Sequence, residues 1–143
     1  MRYPEPFIAP MRRELAEQGA IETHTPEQVD QLLGPDSGTV LMVVNSVCGC
    51  AAGKARPGVI ESLKHTVVPD KLATVFAGGD PEATARVREI LADYPPSSPS
   101  VALFRDGRPV FMLQRFEIEG RDAPAIAGIL KQAYDQHCVK KTV

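Results

Sequence analysis

The sequence predicts an α/β protein with a mixed central sheet, helices on both faces, and a C-terminal β-hairpin followed by a helix. Three observations support this prediction. The apolar run Val40–Val44 is typical of a strand buried on both faces of a sheet. Helical and strand-like segments alternate from residue 4 to about residue 94, which implies right-handed parallel crossovers. Asp106-Gly107 then joins two short strands, a strong signal for an antiparallel hairpin.

Two helices and a short strand are predicted before the apolar run. Apolar residues recur at helical spacing over residues 4–17, and Arg12 and Arg13 are predicted to lie on the solvated face of that helix. A short strand over residues 20–23 follows. The second helix begins with Thr25 as its N-cap and Pro26 in its first turn, as helices often do. The central strand then covers about residues 39–45.

Three helices and three strands are predicted after the central strand. A helix runs from residue 48 to about residue 64, with an interruption at Pro57, which has no backbone N–H to donate. A strand over residues 72–76 precedes a helix that has Asp80 as its N-cap. A proline-rich loop leads to the hairpin strands, residues 100–105 and 109–113. The last helix covers residues 122–136, and residues 139–143 are predicted to be a flexible tail.

Composition narrows the class of protein. The 143 residues are enough for one domain with a single core, and we expect one domain over residues 1–143. A net charge of -2 gives no indication of nucleic acid or an anionic membrane as a partner. No apolar stretch approaches the roughly 20 residues of a membrane helix. Since the N-terminal residues also lack the apolar core of a signal peptide, a cytoplasmic location is expected.

Two closely spaced cysteines follow the central strand. Cys48-Gly49-Cys50 stands where a helix is predicted to begin, and a helix N-terminus favours a thiolate over a thiol. Lys54 and Arg56 add positive charge further along that helix. In a reducing cytoplasm, paired cysteines indicate catalysis or metal binding, and an odd total of three argues against structural disulfides. Redox chemistry is the first hypothesis.

The spacing of the pair limits this chemistry. Residues two apart on a helix point about 200° away from each other, so a Cys48–Cys50 disulfide needs a late helix start or strained geometry. Strain makes a disulfide easier to reduce. We therefore expect a poor general reductase and favour exchange or isomerisation. Gly49 is expected to let the backbone bend and to leave the sulfur uncovered.

A thiol-based metal site is the alternative from another class of function. Two neighbouring thiolates can supply half of a zinc site. His24, His65 and His137 are scattered through the sequence, so they offer no second ligand pair and are expected at the surface. No metal and no other cofactor is assigned, and a metal-binding or adaptor protein is kept as the alternative. Cys138 is expected to be partly buried beside the last helix, with a third redox thiol as its alternative role.

Several local segments resemble the bacilliredoxin family, and the resemblance extends over nearly the whole chain. It implies a thioredoxin fold and a thiol–disulfide oxidoreductase with a Cys-Gly-Cys site. Family members are associated with removing bacillithiol from mixed disulfides on proteins, and some act as reductases or isomerases. The implied partners are proteins that carry mixed disulfides and a low-molecular-weight thiol such as bacillithiol. The segments are Pro10–Leu15, Val44–Gly53, Thr74–Gly78, Pro96–Ser100 and Phe116–Gly120.

The resemblance also implies roles for individual residues. Cys48 is the nucleophile and Cys50 the resolving thiol. The Ser98-Pro99 peptide bond is cis, and it exposes the backbone beside it to a substrate chain.

Three residues near the cysteines mark differences from thioredoxins proper. Met42 stands where those proteins have a buried acid, and Val47 stands where they have a tryptophan. Asn45 is the nearest polar residue on the strand, where it either bonds the cysteine loop or caps the strand end. Proton transfer must therefore come from water, from another residue or from the substrate thiol.

Overall fold

A computed structural model describes residues 2–139, in which helices cover both faces of a five-stranded mixed sheet. The predicted fold class is confirmed. The short helix after the hairpin was not predicted, and the predicted tail lies, except for Val139, outside the described residues. The elements in chain order are α1 (Glu5–Ala16), β1 (Ile21–Glu22), α2 (Pro26–Leu32), β2 (Thr39–Asn45), α3 (Arg56–Ser62), β3 (Lys71–Phe76), α4 (Pro81–Ile90), β4 (Ser100–Arg105), β5 (Arg108–Leu113), α5 (Arg115–Glu119) and α6 (Ala123–His137).

Strand β2 is the centre of the sheet, whose strand order is β1-β3-β2-β4-β5. All seven of its residues are buried. It pairs in parallel with β3 and antiparallel with β4, so that Val43 lies opposite Thr74 on one side and Val101 on the other. The β4–β5 turn has φ of 50° at Asp106 and 83° at Gly107. Two positive φ values are what a tight two-residue hairpin requires, so the hairpin prediction is confirmed.

The side chains of β2 alternate between two apolar cores. Leu41 and Val43 pack on one face with α1, α3 and α6, whereas Val40, Met42 and Val44 pack on the other with α2 and α4. Each fully buried aliphatic side chain contributes about 1.5–3 kcal/mol relative to exposure. This double burial fixes β2, and with it the position of the cysteines that follow its carboxyl end.

The helix after the cysteines is interrupted near Pro57, as predicted. Helical backbone covers Gly49 and Cys50, and a π-helical turn over Ala51–Ala55 then leads into α3. The Arg56 N–H bonds the Ala51 carbonyl, five residues back. Since Pro57 has no N–H, the wider turn accommodates its ring where a regular α-helical ladder has no place for it.

The predicted solvated position of Arg12 is wrong, whereas Asp80 is the N-cap residue of α4 as predicted. Arg12 is buried, and its Nη1 and Nη2 donate to Asp80 at 2.8 and 3.0 Å, while its Nε donates to Glu5. Asp80 also accepts from the Phe76 N–H and makes no side-chain cap on α4. Burial acts to raise the pKa of Asp80, but hydrogen bonds from Arg12 and His24 outweigh it and lower that pKa. A buried charge needs such a partner, and here the partner is 68 residues away.

Within residues 2–139, the helices are all too short or too polar to cross a membrane. The cytoplasmic location and the single-domain organisation stay predictions.

Candidate functional site

Cys48 occupies the N-cap position of the helix that begins at Gly49. Its carbonyl accepts from the N–H groups of Ala51 and Ala52, both at 3.1 Å, and the backbone N–H groups of Ala51 and Cys50 act to lower the pKa of its thiol. An N-cap side chain normally uses an oxygen to satisfy these unpaired donors. Here a sulfur takes that position, which favours its anionic form at the positive end of the helix.

The Ser46 side chain makes a hydrogen bond with the same sulfur. Its Oγ lies 3.3 Å from Cys48 Sγ, and the hydroxyl is the donor when the sulfur is a thiolate. Partial burial acts to raise the pKa of Cys48. The hydrogen bonds from Ser46, Ala51 and Cys50, together with the charge of Arg115, outweigh burial and lower that pKa. The site therefore stabilises a thiolate, the form that attacks disulfides.

Asn45 and Arg56 hold the backbone at the carboxyl end of β2. Asn45 Oδ1 accepts from the Ser46 N–H at 2.9 Å and from Arg56 Nη1 at 2.8 Å, and its Nδ2 donates to the Met11 carbonyl. Arg56 Nη1 also donates to the Ser46 carbonyl at 2.9 Å. Asn45 thus bonds the cysteine loop and ends the strand at once, so the two roles left open by the sequence coincide.

The two basic residues of the helix after the cysteines, Lys54 and Arg56, bond groups other than the Cys48 sulfur. Arg56 is buried, and its Nε lies 3.0 Å from Glu14 Oε1 as an ion pair without hydrogen-bond alignment. Lys54 donates to the Glu119 carbonyl at 2.6 Å. Both basic side chains therefore fix the surroundings of the site, and neither is among the groups that lower the pKa of Cys48.

The two cysteines of the pair face different surroundings, as their spacing predicts. Both are free thiols and partly buried. Cys50 packs against the core on the α1, α3 and α6 face, whereas Cys48 lines an open groove. The bend expected at Gly49 is not seen, because its backbone is helical and an added Cβ would meet open space. The role of Gly49 as a binding residue stays a prediction.

The groove beside Cys48 has a volume of about 300 Å³. The Ser98-Pro99 bond is cis, as predicted; Ser98 lines the groove, and Pro99 itself is buried. Of the sequence-predicted site residues, the groove therefore brings together Cys48 and Ser98. Its lining consists of Tyr3, Ser46, Val47, Cys48, Ala77, Gly78, Ser98 and Arg115.

The N-terminal segment forms the wall of the groove next to Gly78. The Tyr3 N–H donates to the Gly78 carbonyl at 2.7 Å. Gly78 has φ of 88°, and a Cβ there would stand 2.7 Å from the Tyr3 ring. Glycine is therefore required twice over at this position, by its backbone conformation and by the close approach of the ring.

Arg115 is the site residue that sequence reasoning missed. It begins α5, and its Nη1 donates to the Ser98 carbonyl at 2.9 Å while its Nε pairs with Glu119. Its charge contributes to lowering the pKa of Cys48. One signal pointed to α5: Glu117 stands three residues after Gln114 and accepts its N–H at 3.1 Å, the spacing of a capped helix start.

Cys138 lies at the opposite end of β2 from Cys48. It packs against the core beside α6, as expected, near the side chain of Thr39, the first residue of β2. Burial is the largest cause that raises the pKa of Cys138. Since seven strand residues span about 20 Å, Cys138 and Cys48 do not meet in this structure.

The residues that replace thioredoxin side chains also have defined places. Met42 is fully buried against α2 and α4, and its thioether has no proton to transfer. Val47 lines the groove. A larger hollow of about 650 Å³ lies around Arg12, His24 and Asp80, and no cysteine lines it. Over residues 2–139, no three His, Cys, Asp or Glu side chains are grouped to hold a metal ion.

The fold and the cysteine-bearing helix start define a thioredoxin-fold protein. Solved structures support this class. One described as having a thioredoxin fold matches with a TM-score of 0.57 at 15% identity, covering 82% of this chain and 96% of the other. The thioredoxin of Malassezia sympodialis matches with a TM-score of 0.54 at 17% identity, covering 82% and 90%.

The chain belongs to the family described as disulphide isomerase, whose profile matches residues 3–138. It is 52% identical over 136 residues to a bacilliredoxin of Halalkalibacterium halodurans, covering 95% of this chain and 94% of the relative. It is also 52% identical to a bacilliredoxin of Cytophaga hutchinsonii, with 94% and 98% covered. The resemblance that the sequence predicted is confirmed, and the family and fold together support a thiol–disulfide oxidoreductase.

Proposed function

We propose that this protein removes low-molecular-weight thiols of the bacillithiol type from mixed disulfides on proteins, with Cys48 as the nucleophile. One observation carries the proposal: the Cys48 sulfur lines an open groove, lies 3.3 Å from the Ser46 hydroxyl at a helix N-terminus, and has a lowered pKa. An attacking thiol must be accessible and at least partly ionised, and the open groove and the lowered pKa of Cys48 favour both. The bacilliredoxin relatives support the same class of chemistry.

The first step is thiol–disulfide exchange. The Cys48 thiolate attacks the sulfur of the small thiol in the mixed disulfide, which forms a new disulfide between Cys48 and the small thiol. The bond between the small thiol and the client protein breaks, and the client cysteine leaves as a thiolate. Electrons balance, because one disulfide is exchanged for another.

Two routes release the small thiol from Cys48. In the first, the Cys50 thiolate attacks Cys48 Sγ, forms a Cys48–Cys50 disulfide and expels the small thiolate, after which an external dithiol reduces the pair. In the second, another small-thiol molecule attacks the adduct and leaves as the disulfide of two small thiols. The different surroundings of Cys50 and Cys48 favour a contribution from the second route.

The cis peptide at Ser98-Pro99 is proposed to orient the client chain. Ser98 lines the groove beside Cys48, and its carbonyl oxygen can accept two hydrogen bonds. One is taken by Arg115, and a backbone N–H of the client takes the other. Pro99 and Gly49 act in this proposal through the backbone alone, and Asn45 acts by holding Ser46.

A protein disulfide isomerase or reductase without small-thiol preference is the second candidate. The family description favours it, and its first step also uses Cys48. It differs in the substrate, which is a disulfide between two cysteines of one protein. The metal-binding or adaptor alternative has no comparable support from the described residues.

Intact-mass analysis tests the proposal. The reduced protein is mixed with a client that carries bacillithiol or glutathione as a mixed disulfide, and the mass of both proteins is followed. We expect the adduct to move onto the native chain, to accumulate on Cys50→Ala, and to stay on the client with Cys48→Ala. Cys138→Ala is the matched control, and it should behave like the native chain.

Other outcomes separate the candidates. If no adduct moves but a scrambled-disulfide substrate is rearranged, the isomerase is the function. If neither substrate reacts and freshly purified protein contains zinc that is lost in Cys50→Ala, the metal-binding alternative replaces the proposal.

A further inference from the structure

Arg115 gives the Cys48 groove its electrostatic character. Among the described residues that line the groove, Arg115 alone carries a charge, and the others are apolar, hydroxylic or glycine apart from Cys48 itself. Its side chain is 43% exposed, so the guanidinium is accessible to a ligand. A groove of about 300 Å³ falls at the lower end of the range for small-molecule sites. It suits a small thiol rather than a folded partner.

The guanidinium is held in place and keeps a donor for a ligand. Nη1 bonds the Ser98 carbonyl and Nε pairs with Glu119 at the far end of α5, so the side chain is fixed from two sides. Within residues 2–139, Nη2 makes no hydrogen bond, which leaves its two N–H groups for a ligand. A hydrogen bond from a charged guanidinium N–H to a carboxylate is stronger than one between neutral groups, so Nη2 favours an anionic ligand.

We propose that Arg115 is a specificity-determining residue that binds a carboxylate of the small thiol while Cys48 attacks that thiol's sulfur. The substrate class is therefore mixed disulfides of carboxylate-bearing small thiols, in preference to neutral or cationic ones. This inference rests on the proposed function. Glu119 partly neutralises Arg115 in the free protein, so the preference is a moderate one, about tenfold.

The test compares two adducts of equal chain length on one client peptide. One adduct is 3-mercaptopropionate, which has a carboxylate, and the other is its amide, 3-mercaptopropionamide, which is neutral. The rate of transfer to Cys48 is measured in the Cys50→Ala background by rapid quenching and mass analysis. The readout is the ratio of the anionic rate to the neutral rate, because the effect of Arg115 on the Cys48 thiolate changes both rates alike and cancels.

We expect Arg115→Gln to lower this ratio about tenfold and Arg115→Lys to keep most of it. Arg121→Gln is the matched control, since it removes one exposed arginine outside the groove lining and should leave the ratio unchanged. A high salt concentration should lower the ratio for every chain that keeps a cation at position 115 and should leave the ratio of Arg115→Gln unchanged.

Two other outcomes overturn the proposal in distinguishable ways. If Arg115→Gln slows both adducts equally, Arg115 only holds Ser98 or the thiolate, and the specificity role is wrong while the proposed function stands. If neither adduct moves to the parent enzyme, the proposed function itself fails, and the specificity role fails with it.

Discussion

A thiol lies near each end of strand β2, and the pKa values of these two thiols are shifted in opposite directions. Cys48 follows the carboxyl end and Cys138 contacts Thr39 at the amino end. Both are partly buried, and in both burial is the largest single influence and acts to raise the pKa. Yet the pKa of Cys48 is lowered and that of Cys138 is raised. Burial alone therefore does not identify the reactive thiol.

The difference lies in what each end of the sheet places beside the sulfur. At the carboxyl end, Cys48 receives helix N–H groups, the Ser46 hydroxyl and the charge of Arg115. At the amino end, burial raises the pKa of Cys138 most, the carboxylates of Asp70 and Asp135 add to it, and the opposing effects of Thr39 and Arg105 do not compensate. Parallel strands place helix N-termini at their carboxyl ends, so this end is where anions are stabilised.

The largest expected effect is in the alkylation rates of the two thiols. At pH 7, we expect iodoacetamide to modify Cys48 about 100-fold faster than Cys138, because only Cys48 combines an accessible position with a stabilised thiolate. The pH at which each rate is half-maximal should be lower for Cys48 than for Cys138. Peptide mass analysis of the reduced protein over a pH series measures both. Equal rates would show that the donors around Cys48 have no influence on its reactivity.

The next largest effect is on the free energy of unfolding, for variants at the two ends of β2. Asn45→Ala removes a buried acceptor of the Arg56 charge, and we expect a loss of about 2–3 kcal/mol in the free energy of unfolding. Asp70→Ala removes hydrogen bonds to Thr39 at an exposed carboxylate, and about 1 kcal/mol should be lost. Urea denaturation of the reduced proteins measures both. Asn45→Asp is the control, since it keeps the acceptor and should lose less than Asn45→Ala.

Much of the fold was predictable from local patterns. The continuous apolar run predicted β2, the Asp106-Gly107 turn predicted the hairpin, and Pro57 predicted the interruption of the helix after the cysteines. Each of these signals is contained within a few neighbouring residues. The position of Cys48 at the helix start was predictable for the same reason, because it depends only on where the strand ends and the helix begins.

The rest of the site depends on contacts between residues distant in sequence. Arg115 reaches the groove only because β5 returns beside β4 and α5 then turns toward Ser98. Five residues are too few to show helical periodicity. Arg12 looked solvated because its partner Asp80 belongs to another part of the chain. Such ion pairs depend on the topology of the fold, and the spacing of residues within one segment does not predict them.

A smaller effect should reduce the difference in pKa between Cys48 and Cys138. Ser46→Ala removes one donor to the Cys48 thiolate, so the pKa of Cys48 should rise and its alkylation rate at pH 7 should fall about 5–10-fold. Asp70→Asn removes a negative charge near Cys138, so the pKa of Cys138 should fall. The alkylation pH series measures both, with Ser46→Thr as the control that keeps a hydroxyl. If Ser46→Ala leaves the Cys48 profile unchanged, the helix N–H groups alone stabilise the thiolate.

The smallest effect is on the pH dependence of stability, and it has opposite signs for the two thiols. The folded-state pKa of Cys48 is lowered, so its contribution is present above the unfolded pKa and is lost as pH falls through the folded pKa. The folded-state pKa of Cys138 is raised, so its contribution is present below the unfolded pKa and is lost as pH rises through the folded pKa. Each should be below about 1 kcal/mol, because solvent screens charges at partly exposed sites.

Subtracting matched variants isolates these contributions from all other titrating groups. The free energy of unfolding is measured by urea denaturation from about pH 6 to about pH 10, a range that spans thiol ionisation. The native value minus that of Cys48→Ala should rise with pH, because the folded chain stabilises the Cys48 thiolate. The native value minus that of Cys138→Ala should fall, because the unfolded chain ionises Cys138 more easily. Parallel slopes for the two subtractions would mean that the fold does not distinguish its two thiols electrostatically, and the contrast between the ends of β2 would then reflect accessibility alone.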